Sequence, residues 1–543
     1  MKTRYPLLLA IAAFLALVAL YLSRALPLTH GSITYCLDDA YIHLAVAKNL
    51  VHHHIWGISP DQWSGVSSSL LWTLLLTGLF AIFGVNAYVP FILNIVLVLA
   101  LLALLDEIWL RIQLNSVQRL VLLTGTFFLM PLASQPFIGM EVMLQCFLVA
   151  LFYYVSSREG AEDPMRKHSA SMLFLCGFLL GSVRYETILI VELVALGMLL
   201  RGDRRRGLTL AVAGALPATI YGFIALSFGG TFVPNTLFLK ARGATIVGQE
   251  LLSHGPATAA ILAASILLAY LVFRKFQRRL FLSPPSMESI VILTTVITAL
   301  AQGVLSNAPG QFERYRTYLY LSFVLSFGAI LARPSTVSSF FRRFKRGREL
   351  ASSATFEVVI GLTAMVILIA LTIASLPKFF FYLEKTPIAC KNIYDEQVQE
   401  ARFIDLYCQR QPVAVVDIGA PSFYAESPLI DLIGLGSDDI ARITFHQRSS
   451  ELSAMGGQSS RQYSDTLNAI VRARHARLAI LYPIRGYSPD TSWIRMGALV
   501  IDSNYVCAND TVGLYAMRLE DTAWLGRSLR DFRGKTTSHI IIP

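Results

Sequence analysis

The sequence predicts an all-α polytopic membrane domain of about eleven transmembrane helices, followed by a C-terminal extracytoplasmic α/β domain. Three observations predict it. Of 543 residues, 55% are apolar and only 15% charged, against about 25% charge in soluble domains. The basic residues gather in short runs (201–206, 274–279 and 342–348) between apolar stretches, as cytoplasmic loops do under the positive-inside rule. After residue 376 the composition turns to that of ordinary soluble sequence. The expected domains are therefore 1–376 in the membrane and 377–543 outside it. The net charge of +11 does not point to nucleic acid, because no soluble basic face is left over to bind it.

The N-terminus carries Lys2 and Arg4 before an apolar run at 7–22. No small-x-small cleavage site follows, so the run reads as an uncleaved first span from inside to outside. Residues 24–66 then form a first outer loop. It holds Asp38 and Asp39, followed by Leu44, Val46, Ala47, Leu50 and Val51 at roughly helical spacing. This suggests a short amphipathic helix lying along the membrane surface. Apolar runs follow at 67–83, 89–105, 117–133, 141–155, 169–183, 187–200, 208–228, 257–273, 288–305, 318–331 and 357–376. If every run crosses, the Arg201 loop and the later basic loops fall outside, against the charge rule. If only one of the runs at 67–83 and 89–105 crosses, all basic loops fall inside. The second arrangement is the expected one.

The tail has strand-like runs at 413–416, 478–482 and 512–517, with a helical pattern at 464–474. Gly434-Leu435-Gly436 does not complete a dinucleotide-binding fingerprint and reads as a turn. Cys146 and Cys176 lie in apolar runs and read as packing residues. Cys36, Cys390, Cys408 and Cys507 fall outside, with Cys390 and Cys408 the nearest pair for a disulfide. His52, His53 and His54 do not share one helix face and read as a solvated loop, so no metal site is expected there.

Every notable polar cluster lands on the outer side: Asp38-Asp39, Glu141, Arg184-Tyr185-Glu186, Asn235 with Lys240 and Arg242, and Arg314-Tyr315-Arg316. An acid at the centre of a spanning helix costs about 2.5–3.5 kcal/mol, and these acids lie just beyond the spans. Acids and arginines converging at one face suit transfer from an anionic phosphate donor. A carboxylate takes the proton of an attacking hydroxyl, and guanidinium groups neutralise the departing phosphate. Trp56, Trp63 and Tyr315 could stack on sugar rings. Blander readings stand beside these. Asp38 and Asp39 could cap the following helix, and Glu141 could favour a helix N-terminus. Arg184 with Glu186 could be an interfacial ion pair, and Arg314 with Arg316 could be anchors.

Asp38-Asp39-Ala40-Tyr41-Ile42, followed by Ala47-Lys48-Asn49-Leu50, resembles the polytopic glycosyltransferases of the C-type superfamily, with the nearest look to bacterial terminal arabinofuranosyltransferases. Gly65-Val66-Ser67-Ser68-Ser69-Leu70-Leu71-Trp72, Gly139-Met140-Glu141, Arg184-Tyr185-Glu186, Val233-Pro234-Asn235-Thr236 with Lys240, Arg314-Tyr315, Val416-Asp417-Ile418-Gly419 and 430–435 extend the resemblance in order. It implies a polyprenyl-phosphate-linked sugar (pentose or hexose) as donor, and a cell-envelope glycan, lipid or protein as acceptor. It implies a multi-pass protein of the bacterial cytoplasmic membrane with its site on the outer face. It implies Asp38 as general base ahead of Asp39, with Glu141 as the acid of a second loop. Tyr41, His43, Trp63, Arg184, Glu186, Asn235, Lys240, Arg314, Tyr315 and Arg316 then become substrate-binding candidates. The sequence departs from the family at 59–69, where the family's acid is missing or replaced by Asp61, and at His43, where Ser or Thr is common. The reading names no definite cofactor: two or three carboxylates could hold a divalent cation or work without one. A transporter or flippase of lipid-linked glycans is the alternative, but it would need polar residues deep in several spans. A non-catalytic assembly protein is the other, and it leaves the Asp pair unexplained.

Overall fold

The computed structural model describes residues 4–156, 169–240, 294, 297, 298, 311–331, 352–451, 456–484 and 486–542. The expected spans at 257–273 and 288–305, and the basic loops at 274–279 and 342–348, lie outside the described residues. The chain is a multi-pass membrane protein. Its helices are α1 (Tyr5–Leu28), α2 (Asp39–His53), α3 (Leu70–Phe83), α4 (Val89–Arg111), α5 (Ser116–Leu129), α6 (Gln135–Ile138), α7 (Val142–Ser156), α8 (Ser169–Val183), α9 (Tyr185–Leu200), α10 (Arg204–Ser227), α11 (Asn235–Lys240), α12 (Thr317–Leu331) and α13 (Ser352–Ile393).

Among the described residues, four helices are long and apolar enough to cross a bilayer, or five if α5 and the bent segment after it (51°) form one span. The expectation of eleven crossings is thus not reached on the described residues. Of the pair at 67–83 and 89–105, the first forms the shorter helix. The 14 residues of α3 reach about 21 Å at 1.5 Å per residue, short of a hydrocarbon core of about 30 Å. The 23 residues of α4 reach about 35 Å.

Small residues set one close helix crossing. Gly181 of α8 lies directly against Gly214 of α10, leaving no room for a Cβ, the kind of contact that lets apolar helices pack where lipid supplies no hydrophobic drive. At one end of the bundle, Asp106 of α4 is fully buried between Arg119 of α5 (2.8 Å) and Arg4 (2.9 Å). At the other end, the 29–38 loop is fastened to the bundle by its backbone and by Tyr35. The Tyr35 hydroxyl donates to Ala87 O at 2.5 Å and accepts from Phe91 N at 3.1 Å, and Cys36 N donates to Phe137 O at 2.8 Å.

The helix α13 continues past residue 376 without a break. It leads through a π-turn at Tyr394–Val398 into α14 (Gln399–Tyr407). The tail is a six-stranded mixed sheet of β1 (Val413–Val415), β2 (Leu429–Asp431), β3 (Leu478–Leu481), β4 (Ile494–Val500), β5 (Thr511–Ala516) and β6 (His539–Ile541), in the order β2-β1-β3-β5-β4-β6. β1 runs parallel to β2 and β3, while the other pairings are antiparallel. The crossover from β1 to β2 carries α15 (Gly419–Tyr424), and that short helix lies on α2. Helices α16 (Asp438–Glu451), α17 (Gly456–Ala473) and α18 (Thr522–Arg533) complete the layer around the sheet.

The α2 helix is not the membrane-surface helix expected. Every residue from 40 to 49 is buried, because α3 covers one side and α15 the other. Nor does Asp38 cap it, since no side-chain capping bond forms at that position.

Asp106 is the carboxylate that two arginines share, so Asp106→Ala is expected to cost about 3 kcal/mol, read as a lower thermal midpoint in detergent. An unchanged midpoint would show that the pair does not hold α1, α4 and α5 together.

Candidate functional site

The site is built from the short connections at the Tyr35 end of the bundle. The chain before Arg314 turns through two consecutive left-handed residues, Phe312 (φ 56°) and Glu313 (φ 59°). Side chains other than glycine adopt that region rarely, and where they do it tends to mark a functional constraint. The turn delivers the Arg314 guanidinium to Asp39 at the start of α2, with Met140 Sδ 3.3 Å away. Gly139, in a left-handed conformation (φ 69°) against the Tyr35 ring, aims Glu141 into the same space. Arg184, between α8 and α9, donates to Glu141 Oε1 at 2.5 Å and grips Glu186 through two bonds of 2.9 and 3.1 Å. The Tyr315 ring lies beneath both guanidinium groups, 5.0 Å from Arg184 and 4.8 Å from Arg314. Asp39, Glu141, Arg184, Glu186, Arg314 and Tyr315 thus form one cluster.

His43, one helical turn after Asp39, joins this cluster. Its Nε2 is 3.7 Å from Glu141 Oε2, and its Nδ1 lies 3.0 Å from Thr73 Oγ1 and 3.3 Å from Ser67 Oγ. Burial lowers its pKa more than Glu141 and Asp39 raise it, so the ring is neutral at pH 7 and the contact to Glu141 is polar rather than ionic. Glu141 Oε2 is buried without a hydrogen-bond partner among the described residues. A fully buried carboxylate oxygen left open in this way is a natural receiver for a hydroxyl.

Other candidates lie elsewhere. Tyr41 is a packing residue among Tyr35, Phe423 and Tyr424, with ring centroids 5.5–6.2 Å apart. Asn235 ties three segments together: its backbone N–H donates to Gly65 O at 2.8 Å, and its side chain donates to Leu435 O at 3.2 Å and to Asp438 at 2.5 Å. Trp63 stacks flat on Phe228, with centroids 5.9 Å apart. It lines an apolar cavity of about 650 Å³ together with Leu50 of α2, His54 just past its end, Trp56, Leu70, Tyr221 and Phe228. The Lys240 side chain lies outside the described residues. Arg316 is half-buried and makes no ion pair among the described residues. Beside it, Lys378 of α13 pairs with Glu313 at 2.9 Å and sits over the Tyr320 ring.

The two adjacent acids part company. Asp39 faces Arg314, whereas Asp38 turns to the soluble domain, where its carboxylate accepts from Gly419 N (2.7 Å) and Ala420 N (2.8 Å) at the start of α15. Behind it lies a buried acidic set that sequence reasoning missed. Asp417 accepts from Tyr482 OH (3.2 Å) and from Gln397 Nε2 (3.2 Å), and Gln397 also reaches Glu396 at 3.1 Å. Glu396 and Glu400 are buried within electrostatic reach of Asp38 and Asp417. The π-turn, a backbone form concentrated at functional sites, is what places Glu396 here. One signal was available: Val416-Asp417-Ile418-Gly419 follows a strand and opens a helix with free N–H groups, a place where anions settle. Among the described residues, no group of three or more His, Cys, Asp or Glu side chains has the geometry of a metal site. Cys408 is not beside Cys390. The Cys390 thiol instead touches that of Cys36 at 3.9 Å.

Comparison with known proteins bears on the fold. Residues 391–518 match a family described as "Domain of unknown function (DUF8728)". No curated protein matches the sequence. Among solved structures, ArnT from Cupriavidus metallidurans in the apo state superposes with a TM-score of 0.50 at 12% identity, covering 94% of this chain and 98% of that one. ArnT from the same organism bound to undecaprenyl phosphate gives 0.49 at 11% identity, covering 96% and 99%. The fold is thus similar to that of ArnT. At such identity the likeness is one of fold, and it extends over nearly the whole chain.

Burial and the like charge of Asp417 push the Asp38 carboxyl up to about 8, against the pull of the two backbone N–H groups, and burial also raises Asp417. A raised acid binds more protons folded than unfolded, so its contribution to stability falls as pH rises from about 4 toward 8. Asp417→Asn removes the like charge, while Gln397 can flip to present its unpartnered oxygen. The variant should melt higher than wild type at pH 8 and equal to it at pH 4.5; equal melting at both would show that the two acids do not repel.

Proposed function

We propose that this protein is a membrane glycosyltransferase that moves a sugar, a pentose such as arabinofuranose or a hexose such as mannose, from a polyprenyl-phosphate donor to a cell-envelope glycan, lipid or protein. One observation carries the reading: Asp39, Glu141, Arg184 and Arg314, from four separate segments of the chain, meet around Tyr315 at one end of an apolar bundle. Buried charges are tolerated only when paired, and here the pairs are arranged so that a phosphate could replace a carboxylate partner. The ArnT-like fold and the motif resemblance support the same chemistry.

The steps follow from the pairing. Donor phosphate enters between Arg314 and Arg184, with Arg316, which has no ion pair among the described residues, drawing it in, and displaces Asp39 from Arg314. Asp39 loses its counter-charge and becomes a competent base. The acceptor hydroxyl, oriented by the open oxygen of Glu141 and by neutral His43, gives its proton to Asp39 as its oxygen bonds to the anomeric carbon. The bond from that carbon to the phosphate oxygen breaks with its electron pair. Polyprenyl phosphate departs, its new charge held by the two guanidinium groups. Asp39 is the proposed base in place of Asp38, because both Asp38 oxygens already accept backbone N–H groups. The prenyl chain would lie toward the Trp63 cavity: Asp39 and Leu50 are eleven residues apart on α2, about 16 Å along its axis. The site would face outward from the bacterial cytoplasmic membrane, opposite the basic loops.

The direct test is transfer of a radiolabelled sugar from a polyprenyl-phosphate donor to an acceptor extract by purified protein. Asp39→Asn should lower turnover by about 10²–10⁴-fold with donor binding retained. Arg314→Met should weaken donor binding and turnover together. Wild-type turnover in both variants would remove the proposal.

A further inference from the structure

The α2 helix that carries Asp39 and His43 is held from outside the membrane domain, and held at both ends of one partner. At its start, Asp38 accepts the N–H groups of Gly419 and Ala420, the first two residues of α15. Nine residues on from Asp39, Lys48 donates to Phe423 O at 2.8 Å and Ala425 O at 3.5 Å, the carbonyls at the far end of α15, and to Glu426 at 3.1 Å. The Asp38 oxygens satisfy the free N–H groups at the N-terminus of α15, and the Lys48 ammonium complements the partial negative charge at its C-terminus. The spacing of Asp38 and Lys48 on α2 therefore fixes α15 in register and direction. Gly419 makes the grip tight. A Cβ at that position would overlap the Asp38 carbonyl and carboxylate, so only glycine lets the two backbones meet. Phe423 and Tyr424 of α15 complete the seal on Tyr41.

We infer that the soluble domain is a working part of the site: α15, clasped by Asp38 and Lys48, sets the axial position and rotation of α2, and with them the reach of Asp39 to Arg314 and of His43 to Glu141. Asp38, Lys48 and Gly419 are positioning residues. Nothing in the pairing of Asp39 with Arg314 requires the soluble domain, yet the neighbouring residue spends its whole carboxylate on it. A shift of about 1 Å in a reacting group can cost about 10²-fold in rate, which is the scale on which loosening this clasp should act.

The inference rests on the transferase reading only for its kinetic arm, so the test has two readouts on the full-length protein. The first is amide hydrogen exchange. In Gly419→Ala and Lys48→Met, α2 and α15 should exchange at least tenfold faster, with α4 and the central strands β1 and β3 unchanged. Asp39→Asn should leave α2 protection at the wild-type level. The second is kinetics with a polyprenyl-phosphate sugar. The clasp variants should lose about 10²-fold in kcat with donor KM within threefold, and Asp38→Glu should recover part of the loss that Asp38→Asn shows. Should Gly419→Ala fail to fold, Lys48→Met, which keeps the length of the buried stem, carries the test. Unchanged α2 exchange in the clasp variants, or faster exchange with wild-type kcat, would overturn the inference. Absence of transfer by the wild-type protein would remove the transferase reading and leave the exchange arm to decide the clasp.

Discussion

A carboxylate drawn out of water must find a positive partner or a set of N–H donors, and that requirement organises this molecule. Asp39 answers it with Arg314, Glu141 and Glu186 with Arg184, and Asp38 with the backbone of α15. Apart from Glu186 with Arg184, two residues away, each pairing joins segments distant in the chain, so the acids act as the pins that bring five connections to one place. The arrangement is close to neutral: Arg184, Arg314 and Arg316 stand against Asp39, Glu141 and Glu186. A site balanced in this way can take up an anion only by releasing one of its own, which makes the entry of phosphate and the freeing of a base a single event.

The opposite end of the bundle shows the same rule without chemistry. Asp106, Arg119 and Arg4 pair completely and close off space. The difference at the Tyr35 end is the leftover capacity among the described residues: an oxygen on Glu141 and the Arg314 Nε without a hydrogen-bond partner, and an Arg316 with no ion pair. Unspent hydrogen-bonding groups in buried positions are costly, and a ligand that satisfies them recovers that cost as affinity.

Much of this was legible in the sequence, and for a physical reason. Charges are expensive near a bilayer, so those that survive stand out against apolar runs, and Asp39, Glu141, Arg184 and Arg314 could be picked from composition alone. The short helix after Asp38 was also legible as a helix, but not its surroundings. Its apolar positions look amphipathic in isolation, and nothing local says that α15 will cover the face bearing Lys48. The division of labour between Asp38 and Asp39 was hidden for the same cause. Two adjacent acids at a helix start point about 100° apart, and which one meets the guanidinium is set by a turn more than 250 residues away. Asp417, Glu396 and Glu400 were invisible because they sit in soluble sequence, where acids are common and carry no such contrast. Tyr41 and Asn235 serve packing and docking, as aromatic and amide groups do as readily as they bind ligands, and Trp63 lines the apolar cavity instead of the charged cluster.

The account turns on the exchange of Asp39 for phosphate at Arg314, and a structure of the protein with a non-hydrolysable polyprenyl-phosphate sugar tests it most directly. The account predicts the phosphate bound to Arg314 and Arg184, with the Asp39 carboxylate moved off Arg314 toward the anomeric carbon. A donor phosphate seated elsewhere, with the Asp39–Arg314 pair intact, would contradict it.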